Sequence, residues 1–164
     1  MEFKTFAFAV LASSLCSCVT APEPKSKFDA SEAAFINAQG SGSVNGQAFL
    51  RRNDGMVVYA AGSDVFLIPK TAYADERMQG LYKGGKFNGY IASPKNTDPQ
   101  YVAMMRKTKA DGEGRFAFPD LADGNYYLVT SVFWNAGNSP QGGTLMETAS
   151  ISGGNIADLI MTGQ

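Results

Sequence analysis

Residues 125–134 (NYYLVTSVFW) set the strongest limit on how this chain can fold. Tyr126, Leu128, Thr130, Val132 and Trp134 fall on one side of an extended strand; Tyr127, Val129, Ser131 and Phe133 fall on the other. Successive side chains of a strand point to opposite faces. Both faces here are largely apolar, so the strand belongs inside a layered structure, not at a wet edge. Just upstream, Asp111, Gly112, Glu113 and Gly114 form a turn signal, and Phe116 and Phe118 share one side of a short strand. Residues 119–124 make a second turn. Residues 108–134 therefore read as a β-hairpin with a long central strand.

The remaining segments fit around it. Val44, Ala48 and Leu50 share one face of a first strand over 44–51, which the Asp54 and Gly55 turn extends as a hairpin through residues 56–60. Val65, Phe66, Leu67 and Ile68 make a continuous apolar run closed by Pro69, as in a central strand. Over 71–81 the period changes. Thr71 suits an N-cap, Asp75 and Glu76 suit the first turn, and Tyr73, Arg77, Met78 and Leu81 make one helical stripe. Residues 83–99 read as a long polar loop and 101–110 as a strand. There the adjacent Met104 and Met105 point apart and so cannot share a soft metal. Residues 135–143 read as a loop, and 145–151 with 156–161 as a last hairpin. The expected fold class is an all-β, seven-stranded sandwich with one short helix in the insertion between strands two and three.

The N-terminus reads differently. Lys4 precedes the apolar run 6–12, which has the length of a secretion signal and is short for a membrane span. Leu15, Cys16, Ser17 and Cys18 then resemble the bacterial lipobox, with Leu15 and Ser17 in register for Cys18. That resemblance implies cleavage before Cys18 and lipid on it, hence attachment to a membrane. Val19 follows where the inner-membrane sorting pattern has aspartate, which leans towards the outer membrane. The expected organisation is a signal peptide over 1–17, a flexible tether over 18–40 and a β-sandwich over 41–164.

A second resemblance spans most of 42–161. Thr108, Asp111, Gly112, Phe116, Phe118, Leu121, Gly124, Tyr126 and Leu128 resemble the pattern of the carboxypeptidase regulatory-like (transthyretin- or prealbumin-like) domain, as do Gly42, Val44 and Gly46. The resemblance implies a Greek-key sandwich serving as an accessory module. With no peptidase domain in this chain, the regulatory role does not carry over.

Chemistry is thin. The chain has no histidine, which removes the usual triad base and the commonest transition-metal ligand. A net charge of -1 offers nothing to neutralise phosphates, so nucleic acid is not an expected partner. Asp111, Asp120 and Asp123 read as turn residues, since the alternating carboxylates of a calcium loop are missing. Asp75 and Glu76 are adjacent on a helix and diverge by about 100°. No enzyme activity, metal or cofactor is implied. Two functions stay open. One is a lipid-anchored structural or protein-interaction module of the bacterial cell envelope, with an envelope protein as partner. The other is a small-ligand, glycan or peptide-binding module using Tyr73, Tyr82, Phe87, Tyr90 and Trp134.

Overall fold

A computed structural model describes residues 19–164. Cys18 and the signal segment lie outside the described residues. Nine strands are present among the described residues, in two sheets. The first sheet is built on β1 (Gly42–Arg51), which pairs antiparallel with β2 (Val57–Tyr59) and β6 (Arg115–Leu121) and parallel with β9 (Ile156–Met161). The second sheet runs β4 (Phe87–Asn88), β8 (Ser139–Ile151), β7 (Gly124–Ala136), β3 (Asp64–Pro69), β5 (Arg106–Lys109), every pair antiparallel. The mostly-β layered fold is thus as expected. Nine strands stand where seven were expected; β2 is the hairpin arm expected over 56–60, and the two-residue β4 lies in the segment read as a loop.

The long strand β7 is central, between β8 and β3. Its two faces feed two separate cores. Tyr126, Leu128 and Val132 join Val44, Leu67, Phe116, Phe118, Leu121 and Leu145 between the sheets. Tyr127, with Val129 beside it, faces the other way into a second core. That core is covered by helix α1 (Ala72–Tyr82), helix α2 (Pro99–Ala103) and the N-terminal segment. The molecule is therefore a sandwich with a third layer on its larger sheet.

α1 forms as the residues predict. The Thr71 hydroxyl accepts from the Ala74 N–H at 3.2 Å, and Tyr73, Arg77, Met78 and Leu81 are all buried.

Several expectations are corrected. The 108–134 hairpin is not one: β6 pairs with β1 and β7 with β3 and β8, so the turn between them crosses from sheet to sheet. The expected last hairpin divides likewise, since β8 pairs with β7 and β9 with β1. Residues 135–143 are not a loop; β7 and β8 continue through them to a tight turn at Gly137 and Asn138. Residues 101–105 are not strand. Asp98 caps α2 by accepting from the Gln100 N–H at 2.8 Å, Pro99 occupies the first turn, and only 106–109 is extended. The single expected helix becomes two α-helices and the 3₁₀ turn Ala34–Asn37. Residues 19–40 do not behave as a tether. Ala21, Phe28 and Ala33 are buried in the second core, and Ile36 in the first. The Ala21 N–H donates to the Ala92 carbonyl at 2.8 Å, and the Phe28 ring meets Tyr73 and Tyr101 edge-on at 5.8 Å each.

Candidate functional site

The structure separates the five aromatics singled out in the sequence. Tyr73 and Tyr82 are buried in the second core, away from the other three. Burial also pushes the Tyr82 hydroxyl up to about 12, and it donates to the Thr144 hydroxyl at 3.1 Å.

Phe87, Tyr90 and Trp134 come together instead. They line one groove of about 370 Å³ with Arg51, Arg52, Asn53 and Gln141. Phe87 is 41% exposed and Tyr90 84% exposed. Trp134 is partly buried; it packs on the inter-sheet core and also lines the groove. Three separate pieces of chain supply these groups: the β1–β2 turn, the β4 segment and the distal ends of β7 and β8.

Local chemistry holds each piece. The Asn88 side chain braces the segment bearing Tyr90: its Oδ1 accepts from the N–H groups of Tyr90 (3.1 Å) and Ile91 (2.7 Å), and its Nδ2 donates to the Ile91 carbonyl (2.8 Å). Phe87 pairs with Leu145 on β8. This close docking needs glycine opposite, because a Cβ on Gly143 would stand 2.4 Å from the Asn88 carbonyl oxygen and 2.8 Å from the Phe87 ring. Gly142 has φ +106°, a left-handed value, and lets β8 pass beside Val132. Trp134 pairs with Gln141 across the ladder. In the β1–β2 turn, Arg52 pairs with Asp54 at 2.7 Å and Arg51 Nη1 donates to the Gly55 carbonyl at 3.3 Å. These are exposed contacts that hold geometry and add little stability.

Arg51, Arg52, Asn53 and Gln141 are the residues that sequence reading passed over. The Asp54 and Gly55 turn signal located the loop, but nothing local placed it beside Trp134.

The acids have structural work. Asp75 Oδ1 accepts from the Tyr127 hydroxyl at 2.8 Å and pairs with Lys70 at 3.3 Å. Glu76 accepts from the Lys25 N–H at 2.5 Å and the Ser26 hydroxyl at 2.5 Å, tying the N-terminal segment to α1. The Ser26 hydroxyl, with the Lys25 N–H, holds the Glu76 carboxyl below its ordinary value. Asp111 Oδ1 accepts from the N–H groups of Glu113 and Arg115, both at 2.8 Å, and Asp123 accepts from the Gly153 N–H at 2.9 Å. The Asp111 bonds are turn chemistry, as the residues predict; the Asp123 bond instead ties its turn to the one between β8 and β9. Among the described residues no group of three or more acids or cysteines is placed to hold a metal ion.

No protein-family model and no curated relative matches the chain. Among solved structures it is similar to that of "a putative carbohydrate binding protein" from Pseudomonas aeruginosa. The TM-score is 0.71 and the sequence identity 24%, over 87% of this chain and 99% of that one. At that identity the likeness establishes a common fold, and it extends over nearly the whole of the other chain.

Proposed function

We propose that this chain is a non-catalytic glycan-binding module that takes saccharide in the groove formed by the β1–β2 turn, the β4 segment and the ends of β7 and β8. One observation carries the reading: Phe87, Tyr90 and Trp134 meet around a single groove with Arg52, Asn53 and Gln141. A pyranose has apolar C–H faces and a rim of hydroxyls. Aromatic rings serve the faces, while amides and guanidinium groups supply the donors and acceptors that the rim needs. None of the described residues lining the groove is an acid. Hydrolysis by a carboxylate pair about 5–9 Å apart therefore has no candidates there. The carbohydrate-binding description of the P. aeruginosa protein supports the same class of ligand.

Trp134 is the only tryptophan, so its emission reports on the groove alone. Titration with a panel of soluble oligosaccharides is expected to give a saturable change for at least one. Tyr90→Ala should weaken that saccharide about tenfold, the scale of one lost aromatic contact. Failure of every glycan to bind, by fluorescence and by calorimetry, overturns the reading.

The same reading keeps two expectations drawn from the sequence. The sandwich is taken as carboxypeptidase regulatory-like, a seven-stranded Greek key with β2 and β4 added. Its Asp111 turn, held by two backbone bonds, supports this. Attachment to the envelope, on the outer membrane, is assigned to lipid on Cys18. The chain is docked from the next residue onward, since the Ala92 N–H donates to the Val19 carbonyl at 2.9 Å. An anchor there would hold the groove-bearing domain close to the bilayer, with no long tether between.

A further inference from the structure

The third layer encloses a cleft that the glycan reading does not use. It measures about 370 Å³ and lies between α1, α2 and the outward face of β3 and β7, sharing no lining residue with the aromatic groove. Its walls are mainly apolar, including Ile68, Met78, Leu81 and Met105. Ser93, Thr97 and the Tyr82 hydroxyl interrupt them, and so do two polar side chains without hydrogen-bond partners. Arg77, on α1, is 7% exposed, and its Nη1 has no hydrogen-bond partner. Tyr101, on α2, is 1% exposed, and its hydroxyl has none either. The Arg77 guanidinium lies 5.5 Å from the centre of the Tyr101 ring. The ion pairs among the described residues all belong to other side chains.

A buried guanidinium without an acid is costly. Desolvation of an ion costs several kcal/mol even after relaxation, and a cation–π contact offsets only about 0.5–2 kcal/mol of it. Buried polar atoms are normally satisfied, so two unsatisfied donors lining one cleft call for an acceptor. Burial also holds the Tyr101 hydroxyl well above its ordinary pKa, so it remains a donor at neutral pH.

We propose that this cleft binds a small amphiphilic carboxylate, with the anion displacing the side chains that cover Arg77 Nη1 and the Tyr101 hydroxyl to pair with them, and the chain against Ile68, Met78, Leu81 and Met105. A single negative charge matches a single guanidinium, and charge-assisted bonds of this kind are the strong ones. A volume of 370 Å³ is about a dozen water-sized units of ~30 Å³. That is the size of an eight- to ten-carbon acid.

The test is calorimetry on the folded chain with octanoate, octanol and acetate. Octanoate is expected to bind saturably, one per chain. Octanol, which lacks the charge, and acetate, which lacks the tail, should each bind at least about tenfold more weakly. Arg77→Met and Tyr101→Phe should each weaken octanoate about tenfold, the size of a lost charge-assisted hydrogen bond. Circular dichroism checks that both variants fold; Tyr101→Phe keeps the ring and carries the test if Arg77→Met does not. Absence of saturable octanoate binding overturns the proposal. So does octanol binding equal to octanoate, or a Tyr101→Phe variant that binds octanoate like the parent chain. Because the two sites share no residue, failure here leaves the saccharide result standing, and the reverse holds too.

Discussion

The two faces of the five-stranded sheet are covered in different ways. The inner face meets another sheet across a core in which Leu67, Leu128 and Leu145 are fully buried. Its few polar atoms are satisfied locally: the Tyr126 hydroxyl donates to the Ala122 carbonyl at 2.7 Å, and Thr130 to the Asp64 carbonyl at 2.9 Å. The outer face is covered by two short helices and a stretch of irregular chain. It keeps a cleft, two unpaired donors and several exposed polar ties. Sheet-on-sheet packing continues along whole strands and leaves few voids. Helices and coil laid on a sheet meet it at fewer points, so space and unpaired groups survive there. Stability belongs to the first arrangement, and room for ligands to the second and to the sheet ends.

The sharpest way to break this contrast is to delete equal bulk from each face. Leu128→Ala should cost about 3–5 kcal/mol, near the top of the usual range for a well-packed site. Met78→Ala should cost about 2 kcal/mol, because its space merges with an existing cleft. Urea unfolding of both variants measures the difference; equal losses would mean that the outer layer is as tightly packed as the inner.

A smaller effect is expected from Gly143→Ala. The added methyl must move the Asn88 carbonyl or the Phe87 ring. Overpacking of this kind costs about 1–3 kcal/mol. Only the two-residue strand β4 should lift, so the sandwich survives while Phe87 and Tyr90 leave the groove. Loss of the Trp134 response to saccharide with a preserved cooperative unfolding transition is the expected pair of results.

The smallest effect concerns the N-terminal segment. Glu76→Gln removes the charge that holds Lys25 and Ser26. Tryptic cleavage after Lys25 and Lys27 should speed up severalfold with little change in global unfolding. The pH dependence has a definite sign. The Glu76 carboxyl is depressed below its ordinary 4.5 in the folded chain, so its tie is fully present above that pH. It is lost as pH falls through the depressed value. Hydrogen-exchange protection of residues 20–37, taken relative to the intrinsic rate at each pH, should therefore fall on acidification in the parent chain and far less in Glu76→Gln.

Much of the framework was legible because local rules wrote it. The alternation in 125–134 announced a strand covered on both sides, and β7 is that strand. Thr71 announced the start of α1, and the Asp111 turn closes as its residues require. The misread pieces share a cause. In 101–105 a short apolar run carried no decisive period, and the Asp98 cap with Pro99 outweighed its strand-like composition. In 135–143 glycines suggested a loop, whereas Gly142 and Gly143 are what allow β8 to pass its neighbours.

The residues alone determined which faces are apolar, where turns fall and how a helix begins, since these depend on neighbours within a few positions. Only the tertiary structure decided which sheet each strand joins, because a face pattern names no partner and a tight turn serves a hairpin or a crossing equally well. It also decided that Phe87, Tyr90 and Trp134 meet beside Arg52 while Tyr73 and Tyr82 are buried. Positions that far apart in the chain are brought together only by long-range pairing, which no local propensity encodes.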